Sequence, residues 1–161
     1  MKRNFLYAVS TVCTTLAFAT VALAEDAILT VNSDADGRSV SFTYEELLAL
    51  PQTEFRTGTI WTSDVDSYAG PTLAAVLDAA EVSHGDLRIY AINDYNVEFP
   101  ADKISTDAPV LAVQVNGKPF SIREKGPIWL LFPFDDDDSY RTEDHFALSV
   151  WQLQQIDVSP E

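Results

Sequence analysis

The stretch Gly126-Pro127-Ile128-Trp129-Leu130-Leu131-Phe132-Pro133 decides how this chain folds. Its apolar run, residues 128–132, lies between two prolines and has the length of a buried strand. A proline closes a strand because it has no backbone N–H to donate to a neighbouring strand. The run therefore predicts a central strand that ends at Pro133.

Strand-like patterns recur on both sides of this run. Short alternating or continuous apolar segments predict eight further strands, over residues 27–31, 39–42, 55–61, 87–92, 97–99, 110–115, 120–122 and 154–158. The pair Asn116-Gly117 is the strongest short-range hairpin signal in the chain, because both residues tolerate the positive φ of a tight turn. It predicts that residues 120–122 return beside residues 110–115.

A capping box predicts the first helix. Thr43 stands three residues before Glu46, and Phe42 and Leu47 occupy the positions of a hydrophobic staple. Pro51 then stops the helix.

A second helix is expected after Gly70-Pro71-Thr72. Leu73, Val76, Leu77 and Ala80 follow at the spacing of one apolar helix face. With two or three short helices among many strands, the chain is predicted to be an α+β domain.

The N-terminus has the pattern of a secretory signal peptide. Lys2 and Arg3 precede an uncharged apolar stretch over residues 5–21, and Ala22-Leu23-Ala24 forms a small-x-small cleavage pattern. We therefore expect residues 1–24 to be cleaved. The alternative, a membrane anchor, is less favoured because the stretch is borderline in length and contains several hydroxyl side chains.

Cleavage would change the composition of the protein in two ways that bear on function. The remaining chain, residues 25–161, is long enough for one domain and retains 8 basic and 25 acidic residues, a formal charge of −17. Such a surface repels nucleic acid and anionic membranes. The only cysteine, Cys13, would be lost, which excludes disulfides and thiol chemistry. We expect a periplasmic or secreted protein that does not span the membrane.

Six segments, in this order, resemble the oxidoreductase molybdopterin-binding domain family, which includes the sulfite oxidase-like proteins. They are residues 47–51, 70–77, 92–95, 116–119, 126–133 and 149–158. The segments Thr57-Gly58-Thr59-Ile60-Trp61-Thr62 and Lys125-Gly126-Pro127 are similar to those of small secreted members that consist of this domain alone. The resemblance implies a sulfite-oxidase-type fold of bent, mixed β-sheets with short helices, and it covers nearly all of residues 25–161.

The resemblance also implies a cofactor, molybdopterin, whose metal the family's enzymes hold through a cysteine after the first helix. The matching stretch here, residues 55–62, contains no cysteine, and a hydroxyl is a poorer ligand for a centre that prefers thiolates. The leading hypothesis is therefore an exported domain that binds a small pterin-like or anionic ligand without a cysteine-ligated molybdenum centre. Two alternatives stay open: a molybdenum-cofactor oxidoreductase with a different ligand, and a periplasmic sensory or partner protein of a membrane receptor.

The predicted ligand contacts fall into two groups. The resemblance places one group at the cofactor-side cleft, where aromatic walls with a few polar groups would suit a small molecule. The second group is basic and close in sequence to the central strand, where it either holds a phosphate or offsets nearby acids. The predicted contacts are Trp61, Asp94, Tyr95, Arg123, Lys125 and Arg141.

Two other features carry possible chemistry. The run Asp135-Asp136-Asp137-Asp138 lacks the ligand spacing of an EF-hand and is interpreted as a solvated acidic loop, with weak divalent-cation binding as the alternative. His84 and His145 are the only histidines, and acidic neighbours are expected to raise the pKa of His145. No catalytic residue and no metal ligand is predicted.

Overall fold

A computed structural model describes residues 26–82 and 85–159. The predicted signal peptide, Cys13 and His84 lie outside the described residues. Within them, no helix is long and apolar enough to cross a membrane.

The described residues form an α+β domain with more strand than helix. The strands are β1 (Leu29–Ser33), β2 (Ser39–Phe42), β3 (Gln52–Thr57), β4 (Asp66–Pro71), β5 (Leu87–Ala91), β6 (Asn96–Phe99), β7 (Val110–Ala112), β8 (Gln114–Val115), β9 (Lys118–Pro119), β10 (Trp129–Leu131) and β11 (Leu153–Val158). The α-helices are α1 (Tyr44–Ala49), α2 (Leu73–Ala79) and α3 (Glu143–Ala147), and single 3₁₀ turns cover Ala101–Lys103, Ile122–Glu124 and Asp138–Tyr140.

Two sheets flank a short central pair of strands. The larger sheet has the order β2-β1-β11-β5-β6, in which only the β1–β11 pair is parallel. The smaller sheet is antiparallel with the order β3-β4-β8-β9. Between them, β10 pairs with β7, and every residue of both strands is buried.

The predicted central strand is confirmed at β10. Ile128 and Phe132, which flank it, are fully buried, so the core is built around this run. Gly70 of β4 lies directly against the backbone carbonyl of Leu111 in β7, a separation that leaves no room for a Cβ atom. This close approach joins the smaller sheet to the central pair.

The helix predictions are confirmed in detail. The Thr43 hydroxyl accepts the Glu46 N–H at 3.2 Å, and the Glu46 carboxylate accepts the Thr43 N–H at 2.8 Å. In α2, the predicted apolar face at Leu73, Val76 and Leu77 is buried.

Three strand predictions were wrong. Residues 58–61 form a turn rather than the end of a strand, because β3 ends at Thr57. Asn116 and Gly117 adopt positive φ and close the predicted hairpin, but the return strand is Lys118–Pro119 and residues 122–124 form a 3₁₀ turn. The run 110–115 is split at Val113, whose N–H bonds to Ala69 of β4.

Candidate ligand-binding pocket

A pocket of about 480 Å³ opens at one end of the larger sheet. Three separate parts of the chain line it: the loop after β3, the turn between β5 and β6, and the segment from α3 to the start of β11. We call it the aromatic pocket. Its lining residues are Ile60, Trp61, Ala91, Asn93, Tyr95, Phe146, Ala147, Ser149, Val150 and Trp151.

Threonines shape the loop that carries Trp61. The Thr59 hydroxyl accepts the Trp61 N–H at 3.1 Å and lies 2.9 Å from the Thr62 hydroxyl. These short-range bonds give the loop a fixed turn without a regular element. The threonines of this segment therefore have a structural role that the sequence pattern did not reveal.

A clamp holds the base of the same loop. The Asp135 carboxylate accepts the Gly58 N–H at 2.7 Å, and the Asp135 N–H donates to the buried Thr57 hydroxyl at 3.2 Å. The other carboxylate oxygen of Asp135 forms an ion pair with Arg141. We call Thr57, Gly58, Asp135 and Arg141 the loop clamp, because it fixes the Trp61 loop to the segment after the central strand.

The opposite wall of the aromatic pocket is attached to β10. The Leu130 N–H donates to the Val150 carbonyl at 2.9 Å, and Trp129 and Trp151 form an isolated antiparallel bridge. The Trp129 indole N–H reaches the Ser149 carbonyl at 3.4 Å. These contacts hold this wall of the pocket against the central strand.

Gln152 fixes the backbone next to Trp151. Its φ of 54° lies in the left-handed region, which is uncommon for a residue other than glycine, asparagine or aspartate. Three hydrogen bonds hold it there: its N–H to the Lys125 carbonyl, its side-chain amide to the Ile122 carbonyl, and its carbonyl to the Ile92 N–H. Such backbone conformations persist where the surroundings over-determine them, and they occur often at binding sites.

Trp61 contacts two other aromatic side chains of the pocket edge to face. The ring centroid of Trp61 lies 5.7 Å from that of Trp151 and 5.9 Å from that of Phe146. It also lies 5.8 Å from the fully buried Trp129, so the pocket wall is continuous with the core. Tyr95 lines the rim and is 53% exposed.

The structure brings together two of the six predicted contacts. Trp61 and Tyr95 both line the aromatic pocket, although 34 positions separate them in the chain. Asp94 is exposed in the same turn as Tyr95, with a φ of 65°, but it is not part of the lining.

The three predicted basic contacts are not gathered at the pocket. Arg141 is paired with Asp135, and the Lys125 ammonium lies 5.4 Å from the centroid of the Trp129 ring. Arg123 is exposed in the 3₁₀ turn Ile122–Glu124. Among the described residues that line the aromatic pocket, none is charged.

Molybdopterin with a thiolate-held metal does not fit these side chains. Residues 55–62, where the resemblance would place a metal ligand, offer hydroxyls and an indole but no thiol, and the described lining of the pocket offers no cation for a phosphate. Over residues 26–82 and 85–159, no group of three or more histidine, cysteine, aspartate or glutamate side chains is placed to hold a metal ion.

The pKa of His145 is lowered, whereas its acidic neighbours in the sequence led us to expect that it would be raised. Burial and the charge of Lys103 lower its pKa, and they outweigh the opposite effect of Asp144. Its Nδ1 lies 2.8 Å from the Thr142 hydroxyl, and its ring packs edge-on against Phe132. These contacts indicate a structural role in seating α3.

The acidic run is exposed throughout, as expected of a solvated loop, and two of its carboxylates also accept hydrogen bonds from backbone N–H groups. Asp135 belongs to the loop clamp, and the Asp137 carboxylate accepts the Ser139 N–H at 2.8 Å, which lowers the pKa of Asp137. Two of the four carboxylates therefore organise backbone.

The sequence matches no protein-family model and no curated protein. The aromatic pocket and its supports thus rest on the structure of this chain alone.

Proposed function

We propose that the protein is exported and binds a small, mainly apolar ligand in the aromatic pocket, without a cysteine-ligated molybdenum centre. The observation that carries the proposal is the pocket itself: about 480 Å³, lined by Trp61, Tyr95, Phe146 and Trp151. Small-molecule sites have this size and this combination of aromatic walls with a few polar groups. Export is supported by the signal-peptide pattern of residues 1–24.

The construction of the pocket supports a binding role. Trp151 is 38% exposed, so part of a large apolar side chain remains in contact with water. Its backbone is nevertheless fixed by the bonds of Gln152, and the facing Trp61 loop is fixed by the loop clamp. A ligand that fills the pocket would bury these rings without having to order them first.

We also propose membership of the oxidoreductase molybdopterin-binding domain family. The order of the six resembling segments and the α+β architecture support it. Within this proposal, a flat pterin ring is one candidate ligand, because the aromatic walls suit its faces. The side chains present give no basis for a redox step at a metal.

A second candidate function is that of a partner of a membrane protein. Ile60 and Tyr95 stand at the mouth of the pocket and are 64% and 53% exposed, so a protein surface could cover them. Crosslinking in intact cells tests this candidate. Capture of one membrane protein by the wild type, and its loss when Ile60 is replaced by Asp, would favour it.

Mass spectrometry of small molecules released from natively purified protein tests the leading proposal. We expect a small, mainly apolar compound from the wild type and much less from an Ala147→Trp variant. Ala147 is an exposed lining residue at the end of α3, so a larger side chain there fills the pocket without entering the core.

A matched control is Ile122→Ala, because Ile122 is an exposed apolar residue that does not line the pocket. It should release the same compound as the wild type. Equal release from wild type and Ala147→Trp, with both folded by circular dichroism, would rule out the pocket. Molybdenum in stoichiometric amount would instead favour the enzyme alternative.

A further inference from the structure

We infer that the ligand of the aromatic pocket is a free organic ammonium ion, which the rings hold by cation–π attraction. This inference rests on the proposed function and adds the charge of the ligand to it. The aromatic face carries the negative part of the ring quadrupole, so several rings around one cavity attract a cation that has lost part of its water.

The lining contains the elements of such a cage. Trp61 and Trp151 contribute indoles, the side chains with the strongest cation–π attraction, and Tyr95 and Phe146 add two further rings. The contacts of Trp61 with Trp151 and Phe146 are edge to face, with interplanar angles of 80° and 89°. The three rings therefore form one continuous aromatic wall, and Tyr95 belongs to the same lining.

The charges near the pocket favour the same class of ligand. No charged side chain occurs among the described lining residues, so the lining itself favours neither sign of charge. The acids that adjoin the lining in the chain are exposed: Asp94 precedes Tyr95, and Glu143 and Asp144 stand in the first turn of α3 before Phe146. They lie in a chain whose formal charge is −15 before any cleavage. This field attracts cations and repels anions.

The same aromatic cluster already holds one ammonium group. The Lys125 Nζ lies 5.4 Å from the centroid of Trp129, and Trp129 is itself in ring contact with Trp61 and Trp151. Lys125 is not a lining residue, so this internal contact leaves the pocket free. One indole of this cluster, that of Trp129, therefore already lies at cation–π distance from an alkylammonium group.

Three probes of matched shape test the charge. They are choline, its neutral carbon isostere 3,3-dimethylbutan-1-ol, and the anion 3,3-dimethylbutanoate. Titration calorimetry at matched ionic strength, with tryptophan fluorescence as a second readout, should show choline binding at least about tenfold more tightly than the alcohol, about 1.4 kcal/mol. The anion should bind more weakly than both.

The Trp151→Leu variant separates cation–π attraction from simple burial. Leucine keeps an apolar wall but has no π face, so affinity for choline should fall about fivefold or more while affinity for the alcohol changes less than twofold. Trp151 is partly exposed, so the variant is expected to fold; circular dichroism checks this. Ile122→Leu is the control outside the pocket.

Each remaining outcome bears on one proposal or both. If the alcohol or the anion binds as tightly as choline, the ligand is not a cation, while the proposed binding pocket stands. If choline loses no affinity in Trp151→Leu, the rings do not hold the cation. If none of the three probes binds and no small molecule is released from native protein, the cation inference and the proposed function both fail.

Discussion

Removing the carboxylate of Asp135 should loosen the Trp61 loop and lower the free energy of unfolding by about 2 kcal/mol. A hydrogen bond to a charged group contributes about 1.5–3 kcal/mol, and the lower end applies to the bond from Gly58 because Asp135 is 31% exposed. The ion pair with Arg141, whose side chain is 44% exposed, adds about 0.5 kcal/mol.

Three variants separate these two contributions. Asp135→Ala removes both the hydrogen bond and the ion pair, so it should lower the free energy of unfolding by about 2 kcal/mol. Asp135→Asn keeps an oxygen that accepts the Gly58 N–H but removes the charge, and Arg141→Met removes only the ion pair. Asp135→Asn and Arg141→Met should each lower the free energy of unfolding by less than about 1 kcal/mol.

Urea unfolding followed by tryptophan fluorescence measures all three variants, and each should be repeated in 1 M NaCl. Salt screens the exposed ion pair, so the loss of stability in Asp135→Asn and Arg141→Met should be smaller in 1 M NaCl. The loss of stability in Asp135→Ala should largely remain, because the hydrogen bond to Gly58 is still missing. Equal losses in Asp135→Asn and Asp135→Ala would refute the reasoning, because the charge rather than the bond to Gly58 would then hold the loop. A change of less than 0.5 kcal/mol in Asp135→Ala would show that the clamp contributes little.

Three further predictions follow from single side chains. Gly70→Ala should cost about 2–3 kcal/mol in urea unfolding, because its Cβ would meet the Leu111 carbonyl; a wild-type midpoint would contradict this close approach. Tyr68→Phe should leave stability unchanged or raise it by up to about 1 kcal/mol, because the buried hydroxyl makes no hydrogen bond of ordinary geometry among the described residues. Burial raises the pKa of Tyr68 to about 12, and nearby Thr62 acts in the opposite direction, so a loss above about 1 kcal/mol would show that Thr62 bonds the hydroxyl. The pKa of His145 in the folded state lies below its ordinary 6.5, so near that pH the unfolded chain binds more protons than the folded chain, and stability should fall as the pH drops through 6.5. Thermal unfolding between pH 7.5 and 5 measures this fall. The part that comes from His145 should be absent in His145→Gln.

Local signals in the sequence predicted the elements whose cause is local. The capping box at Thr43 and Glu46 needs only neighbouring residues, and so does the Asn116-Gly117 turn, and both are confirmed. The apolar run at β10 could be assigned to the core because its side chains leave no polar face.

Strand β4 could not be predicted, because its cause is not local. Its sequence, Asp66–Pro71, contains an aspartate, a glycine and a proline, which are all rare within strands. It is a strand because β3 pairs with all six of its residues and β8 pairs on its other side. The strand predicted over residues 55–61 stops at Thr57 for the converse reason: apolar residues follow, but the Thr59 hydroxyl accepts the Trp61 N–H and holds the segment in a loop.

The aromatic pocket shows the same limit for a binding site. The sequence marked Trp61 and Tyr95, but it could not show that Phe146 and Trp151 complete the wall with them, because the contacts cross three separate segments. It also marked Arg141 as a ligand contact from its charge. The structure pairs this residue with Asp135, and that pairing depends on how the segment after β10 returns to the Trp61 loop.

The position of Trp151 is determined by its neighbour rather than by its own burial. Trp129 is 1% exposed and gains the full hydrophobic free energy of an indole, whereas Trp151 is 38% exposed and gains much less. Gln152, next in the chain, fixes the backbone at this position by three hydrogen bonds. These bonds offset the cost of its left-handed conformation, which is about 1–3 kcal/mol. Since those bonds run to Ile92, Ile122 and Lys125, the pocket wall, the turn beside Tyr95 and the segment before β10 keep one fixed arrangement. A ligand therefore meets rings that are already in place, and its binding free energy is not reduced by the cost of ordering them.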